Sequence, residues 1–334
     1  MMKLTRGKQP EWFPPVKPSG FERLILSEPI DDFRSHYVHM FLQDLEHLVP
    51  LGSRRERDAY FDLETNDKPL AELVLASLDR QYNSRHIADA LRHFLSSTAM
   101  ELFYSGHSVI QITAKFENNK WDVRSLHPNS SRILAIGSTL IQVLPERESR
   151  RLGLEREILP QEIRVLDRSR LLRIELPADL RRKRKRLMKR LSLLSRISYP
   201  DTEKLFPRTT LENPNPKNNL WDFSAFRRNW EIALFQAIRD TGWNARDYYG
   251  EEKSDFFTSV WRLRFRKFQA ALRIEIIRQL NEQIPPIIRK VNPDFTMTIR
   301  EQGMLSPAEL TEMERQLYAG EISFKEVIDS TFNR

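Results

Sequence analysis

Apolar residues recur every three or four positions through most of the chain, and one stretch where that period changes organises the rest. Leu70, Leu73, Val74 and Leu78 fall on one helical face. After Asn83-Ser84, the residues Ile87, Leu91, Phe94, Leu95, Thr98 and Leu102 repeat the 3.6-residue period. Ser84 is the expected N-cap of this second helix. The helical pattern stops at Ser105-Gly106, and from His107 the period becomes two. Ile110, Ile112, Ala114 and Phe116 then fall on one face, and His107, Gln111, Thr113 and Lys115 are assigned to the other. Gly106 is therefore the expected pivot, because glycine accepts the left-handed conformation that ends a helix and lets the strand turn back.

Periodic segments flank this corner on both sides. Phe33, Tyr37, Met40, Phe41, Leu45 and Leu48 predict an amphipathic helix over Ile30 to Val49, closed by Pro50 and Gly52. Asn118-Asn119 predicts a hairpin into a strand over Trp121 to Leu126. Ile133 to Ile136 and Thr139 to Leu144, separated by Gly137-Ser138, predict a second hairpin, with short strands at Ile163 to Val165 and Leu171 to Leu176. Ala178 to Arg196 is a helix with Leu180, Leu187, Leu191 and Leu194 as its apolar stripe, and Tyr199 to Trp221 is an irregular connection rich in proline and asparagine. Ser224 is the expected cap of a helix whose core face holds Phe226, Trp230, Ala233, Leu234, Ala237 and Ile238, ended by Gly242. Ser254 opens the longest helix, with Phe257, Trp261, Phe265, Phe268, Leu272, Ile276 and Leu280 on one packed side. Arg262, Arg264, Arg266, Lys267, Arg273 and Arg278 are expected on its charged flanks, and Pro285-Pro286 should stop it. Phe295, Met297 and Ile299 alternate as a strand. Ser306-Pro307-Ala308-Glu309 and Ser323-Phe324-Lys325-Glu326 are consecutive capping boxes that predict a C-terminal helical hairpin.

These elements make an α+β chain, mainly helical with a small antiparallel sheet. The expected segments are an extended arm over 1–20, a helical and β region over 21–177, a basic helix and connection over 178–222, a long-helix region over 223–300 and the hairpin over 301–334. The arm follows from Pro10, Pro14, Pro15 and Pro18 around Trp12 and Phe13, a composition that disfavours helix and suits docking on a neighbour.

Composition narrows the chemistry. With no cysteine among 334 residues, disulfides, thiolate zinc sites and cysteine nucleophiles are excluded. His36, His39 and His47 lack the partners of a recognised metal site and read as solvated or capping residues, so no metal or cofactor is expected. Apolar runs fall short of a bilayer span and the first residues lack the apolar core of a signal peptide, so a soluble chain without membrane contact is expected. A net charge of +8 favours nucleic acid or an acidic partner. That charge is densest at Arg182, Lys183, Arg184, Lys185 and Arg186, continued by Lys189 and Arg190, which are the candidate nucleic-acid-binding residues. The run reads as a solvated face or a phosphate-facing surface, such runs also act as nuclear-localisation or acidic-lipid patches, and the run alone does not choose among them. No phosphate loop, dinucleotide fingerprint, nucleophile elbow or metal-spaced carboxylate run occurs, so no catalytic residue is named.

Three stretches together resemble the portal proteins of tailed bacteriophages. Phe103-Tyr104-Ser105-Gly106-His107-Ser108-Val109-Ile110-Gln111-Ile112 is similar to the portal wing, where an apolar helix meets a glycine and then an aliphatic strand. Leu171-Leu172-Arg173-Ile174 stands where that family has its next strand. Leu305-Ser306-Pro307-Ala308-Glu309, continued by Gly320-Glu321-Ile322-Ser323-Phe324-Lys325-Glu326, is similar to the carboxy-terminal portal helices. The family's glycine, any residue, serine-proline segment does not follow Ile174, which leaves stem and clip without a sequence anchor.

The resemblance implies a portal-like fold with a wing, long stem-like helices and a C-terminal hairpin. It also implies a non-enzymatic virion protein, assembled in the host cytoplasm into a ring of about twelve subunits at one capsid vertex. Its partners would be double-stranded DNA, the capsid protein, the terminase large subunit and a head-tail connector or adaptor. Two other classes compete: an intracellular nucleic-acid-binding protein or nuclease that tracks phosphate with the basic helix, and a protein-binding scaffold.

Overall fold

The computed structural model describes residues 36–50, 60–79, 86–128, 133–136, 139–144, 147–149, 157–159, 162–196, 223–243 and 254–332. In chain order the elements are α1 (His36–Leu45, running into a 3-10 turn at Glu46–Leu48), β1 (Phe61–Thr65), α2 (Lys68–Ser77), α3 (Ile87–Ser105), β2 (His107–Glu117), β3 (Lys120–Leu126), β4 (Ile133–Ile136) and β5 (Thr139–Leu144). They continue as β6 (Arg147–Ser149), β7 (Glu157–Leu159), β8 (Glu162–Leu166), β9 (Leu171–Glu175), α4 (Ala178–Arg196), α5 (Phe223–Ile238), α6 (Asp255–Ile288), β10 (Met297–Glu301), α7 (Pro307–Ala319) and α8 (Phe324–Phe332). The fold class is α+β, with small sheets whose strand pairs are all antiparallel among the described residues. The arm at 1–20, the connection at 199–221, the turn at Gly137-Ser138, and Phe33 and Ser84 lie outside the described residues.

Two compact units divide the chain, and neither is continuous in sequence. The first is drawn from Ser53–Glu175 and Ile274–Gln302. Its hub is β2, which pairs with β3 on one side and β9 on the other. Gly106 joins α3 to β2 with φ 94°, in the left-handed region, while its N–H donates to the Leu102 carbonyl at 3.0 Å. The expected corner is present. The hairpin is present too: Asn118 and Asn119 both have positive φ, at 52° and 60°, the requirement of a type I′ turn. A second sheet, in the order β4-β5-β8, shares a core with the first through Val109, Ile133, Leu140, Leu166 and Leu171.

Three expectations change within this unit, and a strand is added. The second helix is capped at His86, which has extended backbone geometry and no side-chain cap bond, so Ser84 is not the cap. Leu73 is 41% exposed, because Ala71 and Leu75 share the buried face of α2 with Leu70, Val74 and Leu78. Phe116 is 54% exposed and packs against Trp121 across the hairpin, where β2 has left the core. The added strand is β1. It is five residues long and pairs with β10, from Phe61↔Glu301 to Thr65↔Met297, more than two hundred residues away.

The second unit is drawn from Asp31–Gly52, Leu176–Arg273 and Gly303–Arg334. Here α4 packs on α1 and α5. In α1 and its 3-10 turn, Tyr37, Met40, Phe41, Leu45 and Leu48 are buried as expected, while His39 and His47 are exposed. Trp243, fully buried after α5, donates its indole N–H to Asp44 Oδ2 at 2.6 Å and meets Phe41 edge-on. Ser224 lies inside α5, which begins at Phe223, and the side chains of Phe226 and Trp230 lie outside the described residues. The C-terminal hairpin forms with both capping boxes closed, Ser306 with Glu309 and Ser323 with Glu326. Its Leu310, Leu317 and Val327 pack on Val260, Leu263 and Ala270 of α6.

Helix α6 contributes its first part to this unit and its second to the other. Ser254 caps it, accepting from the Phe257 N–H at 3.3 Å. It departs from the single-stripe expectation: Gln269, Arg273 and Gln279 are buried along with the apolar residues. It also runs through Pro285 and Pro286 to Ile288. Two missing N–H groups in the last turn are offset there by buried Ile284, Ile287 and Ile288, and the ladder resumes as the Arg289 N–H donates to the Pro285 carbonyl at 2.9 Å.

Candidate nucleic-acid interface

Helix α4 follows Pro177, whose carbonyl accepts from the Arg181 N–H at 2.8 Å, and Leu180, Leu187 and Leu191 are its buried stripe. The side chain of Leu194 lies outside the described residues. At 100° per residue, Arg184 falls on the same side as those leucines, while Arg182, Lys185 and Lys189 fall opposite. Exposure follows this geometry: Arg182, Lys185 and Lys189 are exposed, and Lys183 and Arg184 are half-buried. Burial holds the Arg184 guanidinium below its ordinary pKa.

The remaining two cations have intramolecular work at the end of α5. Arg186 Nη2 lies 3.3 Å from Asp240 Oδ2, and Arg190 Nη1 donates to the Gln236 carbonyl at 2.7 Å. Gln236 is in the last turn of α5, where carbonyls lack helical partners and the macrodipole favours cations. The seven basic residues are therefore not one surface. Three face outward, two serve the end of α5, and two are drawn toward the packed side.

A second cationic group was hidden in the sequence among the supposed flanks of α6. Arg266 Nη1 donates to the His47 carbonyl at 3.1 Å and to Gln269 Oε1 at 3.3 Å. Gln269 Nε2 donates to the carbonyls of Asp44 and His47, at 3.0 and 3.3 Å, and Arg273 Nη1 to that of Leu48 at 2.9 Å. These acceptors are the terminal carbonyls of α1 and its 3-10 turn, so α6 caps the end of a helix far away in sequence. The only linear trace is the spacing 266, 269, 273, which puts three long polar side chains on one helical face. Desolvation first, then repulsion from Arg262 and Arg273, pushes the Arg266 pKa down to about 10.

Among the described residues, no group of three or more histidines and carboxylates is placed to hold a metal, and no helix is long and apolar enough to cross a membrane. The chain matches no protein-family model, and no curated protein matches it.

Proposed function

We propose that this chain is a portal-like structural protein. About twelve copies close through heterologous contacts into a ring at a capsid vertex of the virion, having assembled in the host cytoplasm. The ring conducts double-stranded DNA without chemistry, contacts the capsid protein, and docks the terminase large subunit during packaging and a head-tail connector afterwards. The finer fold assignment of wing, stem-like helices and C-terminal hairpin belongs to the same reading. What carries it is the order of features along the chain. An apolar helix enters left-handed Gly106 and an aliphatic strand, β9 follows at Leu171–Glu175, and two capped helices close the chain, in the order the resemblance requires. The outward row of Arg182, Lys185 and Lys189 supports the DNA part, because cations that meet phosphate without reading bases let a duplex slide.

The test is particle size. Purified protein should scatter light as an assembly several-fold heavier than the 39.6 kDa subunit and show rings in negative stain. A monomer or dimer overturns the portal reading. The same exposed row favours one other reading, an intracellular nucleic-acid-binding protein or nuclease, and a monomer that holds DNA with steep salt dependence would select it.

A further inference from the structure

We propose that the recess lined by Arg266 and Arg273 in the second unit is a binding site for a phosphate-type oxyanion. The recess is open on one side, with Leu48, Leu305 and buried Thr331 among the residues that line it. Three observations converge on it. Arg266 spends only Nη1 on the end of α1, so its Nε and Nη2 carry no bond among the described residues. Arg262 and Arg273 both repel the Arg266 guanidinium, and Arg273 lines the same recess. Finally, the surroundings are partly apolar, so that repulsion is poorly screened and an anion placed there gains more than it would in water. A guanidinium with two adjacent free donors offers the fork that matches the oxygens of phosphate, and a second arginine on the same recess adds charge to hold it. This inference does not depend on the portal reading, since a monomer would carry the same recess.

Inorganic phosphate is the probe. The melting temperature of the full chain should rise saturably with sodium phosphate against sodium chloride at equal ionic strength, as expected for a ligand that binds only the folded state. Arg266→Lys keeps a cation but loses the fork, and should weaken phosphate binding at least several-fold. Because Arg266 also holds the end of α1, the decisive comparison uses Arg262→Gln, which removes repelling charge while leaving the Arg266 and Arg273 side chains in place. Phosphorus NMR line broadening should show this variant binding phosphate several-fold more weakly than the parent. A short duplex that displaces inorganic phosphate would give the site to a nucleic-acid backbone, and one that leaves it bound would give the site to the free oxyanion. Either result supports the proposal. A melting shift no larger than that of chloride, or unchanged phosphate binding in both variants, overturns it.

Discussion

Gly242 stands where the backbone of the second unit leaves no room for a side chain. Its φ is +72°, and a Cβ built there would collide with Arg264 Cβ and lie 2.7 Å from the Phe265 backbone nitrogen. The helix stop expected at this position is the local half of the matter, since the Gly242 N–H closes the end of α5 on Ile238. The other half is the approach of α6, which no neighbour in sequence announces. Gly320 makes the comparison, with φ +71° and nothing within 4 Å of a built Cβ. Alanine at Gly320 should cost only the left-handed strain, about 1 kcal/mol. Gly242→Ala should cost clearly more, about 2 kcal/mol or above, because backbone must move as well. Urea unfolding of the two variants measures the difference directly. Equal losses would mean that α6 yields without resistance.

At the scale of elements, α6 finishes a sheet whose outer edge would otherwise be bare. Gln279 accepts from the Glu175 N–H at 2.9 Å and donates to its carbonyl at 2.7 Å, and one turn later Gln283 repeats both bonds with Arg173, at 2.9 and 2.8 Å. Two side-chain amides thus stand where another strand would pair with β9, a way of closing an edge without extending the sheet. On the other side of the helix, Asn281 makes the same double bond with Ile299 of β10, at 2.8 and 2.9 Å. Gln279→Leu orphans one N–H and one carbonyl in a partly buried place and should cost about 1–3 kcal/mol, with faster hydrogen exchange at Glu175. Gln283→Leu should cost less, since water reaches its bonds. If both variants lose the same stability and the Glu175 amide stays protected, the edge is closed by something other than Gln279. From sequence, these glutamines look like ordinary surface residues, and their role appears only when β9 is laid beside them.

For the whole molecule the question is what the +8 charge is for. Part of it is engaged within the chain: Arg190 and Arg273 donate to carbonyls at the ends of α5 and of the α1 segment, and exposed Arg278 sits between Glu275 and Glu282. Counting cations in a run therefore overstates the surface available to DNA. Replacing Arg182, Lys185 and Lys189 together by glutamine should leave the melting temperature nearly unchanged, because helix propensity is kept and none of the three supports a fold contact described above. DNA retention should fall, and the slope of log affinity against log salt should flatten by about 2–3, close to 0.9 for each lost phosphate contact. Arg186→Gln with Arg190→Gln should do the reverse, lowering stability by about 1 kcal/mol while leaving most of the salt slope in place. If the outward triple variant holds DNA as the parent does at matched ionic strength, the exposed face of α4 is solvent surface only.

The sequence by itself determined what rests on bonds between near neighbours. The capping boxes at Ser306 and Ser323, the left-handed stop at Gly106 and the Asn118-Asn119 turn each close within a few residues, so the local pattern contains all their partners. Periodicity likewise located most helices and strands, since burial of one face repeats along each element. Only the tertiary structure decided which side of a pattern is buried when both sides are apolar, as at Leu73, where a strand leaves its core, as at Phe116, and whether a five-residue stretch such as β1 has a partner at all. It also decided the fate of the cations. A guanidinium is withdrawn from water only when acceptors wait for it, and those of Arg273 stand 225 residues away, at Leu48. No window of sequence contains both ends of that bond, which is why a buried, capping arginine was legible only as a solvated one.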